Sequence, residues 1–543
     1  MKTRDEVSAA KLRGGFYTPA DLVQRTLDRA RGHLPPTQQV KVLEPSAGDG
    51  AFLAGLATQG GGHRWDITAV ELLEEEAAKC RATAEAGELQ SVVHAADFLQ
   101  WMESARPEFT MAVGNPPFVR FQFVSNEAKE AARRLAERLG VPSRGVSNLW
   151  VPVLLGAINL LEPGGAFAFV LPTECLTGLA AGSARSWLVR NSGDLTLDLF
   201  APGSFPGVLQ EVAILSGVRR RDPADAGTLN IVDGDSGRSW SHRLRATSDS
   251  WTRYLLTPSQ LEAYALAQAV ATVKRLDEVA TFEVAAVTGA NAFFSINSQT
   301  RRGYELQRWT TPLLPRIRHA SGLVYPPADQ SALQESAEKA WLLDFAEDRP
   351  DPLEHAGASR YIAEGEQAEL HKRYKTRIRK PWFRIPLIRA EELLLSKRSH
   401  HHPRVVLNEA GAVTTDTIYR GWLTTGETTS RDFTAGFHNS LTMLSAEMEG
   451  RSFGGGVLEL VPSEIKKLVV PVVSGMALEL GRLDTLAREC SAGAVEPDGL
   501  IVETNRLLAK NNGEFDGEVF DVLEDARRFL ADRRHRRGQR RAD

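Results

Sequence analysis

At 543 residues the chain is long enough for two or more domains, each with its own core. Hydrophobic content of 42% and charged content of 25% are those of an ordinary soluble globular protein, which excludes a fibrous or disordered chain. A net charge of -4 carries no bulk nucleic-acid signature, so any basic surface must be local.

Three separated cysteines, Cys80, Cys175 and Cys490, without a Cys-x-x-Cys argue against a disulfide framework or zinc site and point to a reducing cytoplasm. The charged N-terminus is not a signal peptide, and no apolar run reaches the roughly 18–20 residues of a membrane span.

In chain order, the sequence predicts a strand over Val40–Leu43, a helix over Ala51–Ala57, and strands over Ile67–Val70, Ser91–His94 and Met111–Val113. A buried helix over Leu149–Leu161 and strands over Ala166–Leu171 and Glu211–Gly217 follow. Strands alternating with helices imply an α/β fold with a doubly wound, mostly parallel, Rossmann-like sheet over residues 1–245. From there the periodicity weakens, and residues 246–543 read as a second, mixed α+β domain with long polar stretches at Asp329–Lys339 and Glu347–His355. The basic end Arg533–Arg541 reads as a flexible phosphate-binding or solubilising tail.

Asn115-Pro116-Pro117-Phe118, after the fourth strand, suits the grip of a planar exocyclic amino group. The Asn115 side-chain oxygen and the Pro116 carbonyl can accept its two hydrogens, the rigid Pro-Pro keeps both aimed, and Phe118 offers a stacking face. Upstream, Glu44-Pro45-Ser46-Ala47-Gly48-Asp49-Gly50 is a Gly-rich strand-to-helix turn without Gly-x-Gly-x-x-Gly, so it suits a ligand lacking phosphates. Glu71, ending the second strand, can accept both hydroxyls of a ribose. Asp97 after the third can take an adenine amino group, with Phe98 flanking the ring. Together these describe a pocket for an adenosine whose other end is not a phosphate.

The order of these motifs resembles class I S-adenosylmethionine-dependent methyltransferases. More narrowly it resembles the gamma-class DNA adenine-N6 methyltransferases of restriction-modification systems, strongly over the first ~220 residues and in outline beyond. The resemblance implies that Tyr17-Thr18-Pro19 packs against the methionine part of S-adenosylmethionine and that Glu44–Gly50 is the main cofactor loop. It also implies that Asn115–Phe118 is catalytic, with Phe where many members carry Tyr, and that Phe205 of Phe205-Pro206-Gly207 packs on a flipped base. The C-terminal domain would then recognise a target in double-stranded DNA, in company with a cognate restriction endonuclease.

In that domain His371–Arg384 holds seven Lys/Arg and no acid, interleaved with aromatics. Lys372, Arg373, Lys375, Arg377, Arg379 and Lys380 could neutralise phosphates, the bland alternative being a solvated amphipathic helix. Residues Arg404–Asn408 and Thr414–Tyr419 read as strand-turn-strand, and His400-His401-His402 as a solvated loop rather than a metal site. No metal is expected. Rival functions are a protein-glutamine or RNA methyltransferase, which meets the same hydrogen-bonding problem, and a non-catalytic DNA-binding subunit of a defence complex. A fused endonuclease is not expected, because the stretch ahead of Gly14 is too short to house one and the C-terminal half carries no nuclease motif.

Overall fold

The computed structural model of the protein describes residues 17–34, 39–59, 64–142, 148–177, 181–201, 212–247, 249–386, 388–453 and 455–539. The chain divides into two compact units, Met1–Pro258 and Ser259–Asp543.

In the first unit, helix α1 (Ala20–Arg31) precedes β1 (Gln39–Glu44), α2 (Ala51–Thr58), β2 (Arg64–Glu71), α3 (Glu74–Ala86), β3 (Gln90–Ala95), the single turn α4 (Phe98–Trp101) and β4 (Phe109–Gly114). Then come α5 (Asn126–Leu139), α6 (Trp150–Asn159), β5 (Leu161–Pro172), α7 (Gly182–Asn191), β6 (Ser192–Leu199), β7 (Val212–Arg219), β8 (Ala226–Asp233) and β9 (Arg238–Arg245). Among the described residues the nine strands form one sheet in the order β3-β2-β1-β4-β5-β7-β6-β8-β9. Strands β1 to β5 pair in parallel, whereas β7 runs antiparallel to both its neighbours.

Strand β5 shows why the sheet is interior. Its run Ala166–Pro172 is buried without alternation, as a strand covered on both faces must be. Leu22, Val23, Leu27 and Ala30 of α1 and Phe52, Leu53 and Leu56 of α2 bury one face against Val40, Val42, Val113, Ala168 and Val170. Each fully buried leucine there contributes about 2 kcal/mol, so this apolar face, rather than surface charge, places α1 and α2. The order reverses between β1 and β4. Loops leaving their carboxyl ends therefore diverge and open the crevice where α/β sheets bind ligands.

All the expected strands form. The sequence reading missed β6, β8 and β9. Strand β9 (Arg-Ser-Trp-Ser-His-Arg-Leu-Arg) lies at the sheet edge and buries only alternate side chains, so it lacks an apolar run.

In the second unit, β10 (Ala280–Val284), β11 (Val324–Tyr325), β12 (Leu393–Ser396), β13 (Val405–Asn408) and β14 (Ile418–Leu423) form a sheet ordered β10-β14-β12-β13-β11. The expected strand-turn-strand is corrected here: β13 and β14 exist but are not neighbours, because β12 pairs antiparallel with each. Its short Leu-Leu-Leu-Ser run had no turn signal to mark it. The polar stretch beginning at Asp329 is largely helix α8, over Pro327–Glu335, with Pro at the first helical position.

The basic tail is also corrected over its described part. Residues 533–539 continue the helix α10 (Gly517–Gln539), which packs on α9 (Ser440–Glu449), and Arg533 and Arg534 are buried. Arg534 forms a bidentate pair with Glu447 at 2.7 and 3.0 Å and donates to the carbonyls of His400, His401 and Gly456. The His400–His402 segment is thus partly structural. Its His400 ring stacks on His535 at 5.0 Å, and His402 meets the buried His438 at 6.2 Å.

Candidate active site

The turn after β1 is closed by backbone hydrogen bonds from Ala47 to Val70 and from Gly50 to Ala47. Gly50 caps α2 with φ of 88°, and a Cβ there would lie 3.2 Å from both Cys80 Cα and Thr83 Cβ, so only glycine fits. Glu44 at the strand end is 1% exposed, and its Oε2 is buried without a partner. Burial first, then the nearby Glu71 and Asp49 carboxylates, push its pKa well above the usual glutamate range. A charge-capable atom left unpaired at such a position costs stability unless a ligand satisfies it.

Glu71 closes the adjacent strand end, accepting from Gly48 N at 2.9 Å and from Leu73 N at 3.0 Å. Each carboxylate oxygen keeps a lone pair for a hydroxyl. Asp97 Oδ1 accepts from Leu99 N at 2.9 Å and Gln100 N at 3.2 Å, capping α4, which leaves Oδ2 for a ligand. Phe98, expected to flank the adenine ring, is buried and lies 6.1 Å from Trp101 in a stacked pair.

Asn115 follows β4 directly. Its Nδ2 donates to Thr18 Oγ1 at 3.2 Å, and Ser46 Oγ donates to its carbonyl at 3.2 Å. The N-terminal motif, the turn after β1 and the Asn-Pro-Pro-Phe motif therefore meet at one residue. With Nδ2 so committed, Asn115 Oδ1 is the free end, and it is buried without a partner. Pro116 is buried, Pro117 and Phe118 are half-buried, and Phe118 leans on the core cluster beneath the sheet.

Thr18 and Pro19 are half-buried, but Tyr17 is 62% exposed and its hydroxyl donates to Glu76 Oε2 at 3.4 Å. Gly14–Phe16 and Phe205-Pro206-Gly207 lie outside the described residues. The thiol beside the turn, Cys80, is pushed up to about 12, chiefly by burial, and so stays protonated and non-nucleophilic. Sequence reasoning missed the Thr18–Asn115 and Ser46–Asn115 bonds, because no motif spacing announces a contact across so much chain. Among the described residues no group of three or more His, Cys, Asp or Glu could hold a metal ion, and no helix is long and apolar enough to cross a membrane.

The basic strip of the second unit is not an amphipathic helix. It is a 3-10 turn over Leu370–Lys372 followed by linked turns. Trp382 and Phe383 are core residues, 5.2 Å from Phe293 and 5.6 Å from Phe345. Arg379 donates to the carbonyls of Val287 at 2.5 Å and Thr288 at 2.8 Å, so it anchors the strip rather than facing a ligand. Lys372 pairs with Glu369. Arg373, Lys375, Arg377 and Lys380 are exposed, with no carboxylate partner among the described residues.

With this geometry in view, the chain can be set beside known proteins. The family model described as "Eco57I restriction-modification methylase" matches residues 65–200, and that of the type II methyltransferase M.Eco57I, C-terminal domain, matches residues 248–496. The chain is 22% identical to the type II methyltransferase M.AccI of Acinetobacter calcoaceticus, covering 68% of this chain and 69% of that one. It is 21% identical to M.XamI of Xanthomonas campestris pv. amaranthicola, covering 85% and 86%. In fold it is similar to the type IIL restriction-modification enzyme MmeI, solved in complex with DNA, with a TM-score of 0.52 and 10% identity over 94% of this chain and 72% of that one. Two models of restriction-modification methylases thus match, one over residues 65–200 and the other over residues 248–496, and the chain is similar to those methylases over both stretches.

Proposed function

We propose that the first unit transfers a methyl group from S-adenosylmethionine to N6 of an adenine flipped out of double-stranded DNA. The second unit recognises the target, and the whole serves as the modification enzyme of a restriction-modification system in the cytoplasm, beside a cognate endonuclease. The observation that carries this reading is the buried, partnerless Asn115 Oδ1 at the carboxyl end of β4. An acceptor held there by Thr18 is preorganised for an amino hydrogen.

The residues present fit the cofactor. The orphaned Glu44 Oε2 and the remaining lone pairs of Glu71 and Asp97 are acceptors in need of donors, as an ammonium, a ribose and an adenine amino group supply. Glu44–Gly50, Glu71, Asp97 and Thr18-Pro19 would hold it. The chemistry that S-adenosylmethionine supplies when bound is an electrophilic methyl group on a cationic sulfur.

Aromatic amines are poor nucleophiles because the nitrogen lone pair is delocalised into the ring. Asn115 Oδ1 and the Pro116 carbonyl, accepting both amino hydrogens, favour a pyramidal nitrogen with a localised lone pair. No strong base is required before attack, since the proton is lost from an already cationic product. Phe118 stacks on the extruded base and recovers part of the stacking lost from the duplex, with Phe205 as the second face. Arg373, Lys375, Arg377 and Lys380 are phosphate contacts in this reading; Arg379 and Lys372 are set aside for the bonds described above.

The test is to incubate the protein with unmethylated genomic DNA and labelled cofactor and to map modified bases by single-molecule sequencing. Label on adenine N6 at a fixed sequence is the expected result. Label on cytosine N4 would keep the amine chemistry and overturn the base, whereas label only on protein or RNA would overturn the DNA reading.

A further inference from the structure

The strip that anchors through Trp382, Phe383 and Arg379 exposes two apolar side chains. Tyr374 is 66% exposed and Ile378 67%, among the most exposed large hydrophobics of the described residues. Their backbone is fixed. Arg377 N donates to Arg373 O at 2.9 Å, Thr376 is fully buried with its hydroxyl donating to Leu370 O, and the turn lies tight against the loop at Gly289. A Cβ at Gly289 would stand 2.6 Å from Lys375 Cβ, so glycine is what allows the strip to sit there. Two cations lie by the ring: Arg377 Cζ is 5.4 Å and Lys375 Nζ 5.6 Å from the Tyr374 centroid. An exposed apolar group normally costs little when single, but a rigidly presented aromatic flanked by unpaired cations has the chemistry of a nucleic-acid stacking element.

We propose that Tyr374 is a wedge that stacks on a base of duplex DNA at a step it opens, with Ile378 packing beside it and Arg373, Lys375 and Arg377 on the flanking phosphates. The proposal rests on the reading of the chain as a DNA methyltransferase. It goes further in assigning base contact to one tyrosine and separating it from the sequence-independent charge around it. Tyrosine suits this place because its ring is flat, its side chain has few rotamers to lose, and the nearby cations strengthen its stacking.

The test uses the full chain and a duplex bearing the sequence that the wild type methylates. Dissociation constants are measured over a range of salt concentrations, and 2-aminopurine is placed at successive steps of the site. Tyr374→Ala should weaken binding between about 5-fold and 100-fold, the worth of one base–aromatic stack, with the salt slope unchanged. Tyr374→Phe should bind as the wild type does. Arg377→Ala should instead lower the salt slope by about one. A 2-aminopurine signal from one opened step should appear with wild type and vanish with Tyr374→Ala. Methylation with equal affinity and equal 2-aminopurine response in Tyr374→Ala overturns the wedge alone. Failure of the wild type to methylate or bind any duplex overturns the methyltransferase reading with it.

Discussion

Asn115 Nδ2 donates to Thr18 Oγ1 at 3.2 Å, across 97 residues of sequence. That bond decides which end of the amide faces the crevice. With the nitrogen held by Thr18, the oxygen is offered to a ligand, and a donor is what it lacks. Thr18 is therefore a positioning residue for the candidate catalytic amide.

Asn115→Ala should lower methyl transfer at least 100-fold, about the cost of removing one preorganised polar group, while cofactor and DNA binding persist. Thr18→Val should cost about 5- to 10-fold in kcat, the worth of one neutral hydrogen bond, and Thr18→Ser should restore it. Steady-state kinetics with separate binding isotherms check both; a fall in KM terms alone would remove Thr18 from its positioning role.

Glu44 carries a pKa raised by burial above its unfolded value. Its stability contribution is thus fully present below the unfolded value and lost as pH rises through the folded one. Glu44→Gln should accordingly melt higher than ligand-free wild type at pH 8, with the gap closing as pH falls toward the ordinary glutamate value of 4.5. The same variant should bind S-adenosylmethionine about 10-fold or more weakly, since a hydrogen bond to a charged group is lost. Melting curves across pH, with and without cofactor, are the measurement.

Gly50→Ala combines a left-handed φ of 88° with Cβ contacts of 3.2 Å. It should destabilise the first unit by about 2 kcal/mol, read by denaturant unfolding.

Glu447 and Arg534 are 5% and 4% exposed at the side chain. Glu447→Ala leaves an uncompensated buried guanidinium and should cost about 3–5 kcal/mol. Loss of Glu409, whose pair with Arg431 is exposed, should be nearly silent by the same unfolding measurement.

Burial lowers the His402 pKa to about 4 and that of His438 well below the ordinary 6.5. A depressed histidine contributes stability that is present above its unfolded value and lost as pH falls. The second unit should therefore weaken progressively from pH 6.5 toward 4. His402→Asn should flatten that acid limb in thermal melts; an unchanged limb would exclude this residue as its source.

The sequence showed the parallel half of the sheet because its strands are apolar runs ending in polar turns, and it marked the candidate site residues because each motif sits at such an end. Strand β9 stayed hidden, since an edge strand with one wet face reads like a loop. The strip looked uniform in sequence. Yet Arg379 serves two backbone carbonyls while Arg377 faces solvent, a difference that only the fold around Val287–Gly289 creates. Arg534 likewise reads as one more basic residue of a tail until its partner, 87 residues earlier, is seen. Phe98 reads as a ligand contact through its neighbour Asp97, but its ring packs inward because the strand-end turn that aims Asp97 outward starts a helix at Phe98.

The Glu447–Arg534 pair also sets an order of events during synthesis. Glu447 leaves the ribosome 87 residues ahead of its counter-ion, and until Arg534 follows, helix α9 cannot bury that carboxylate without stranding it. The first unit, whose crevice lies wholly within Met1–Pro258, waits on no such late arrival. A nascent chain would thus hold a formed candidate site well before the segment around α9 and α10 locks, and this stretch is where chaperones and proteases would find it open.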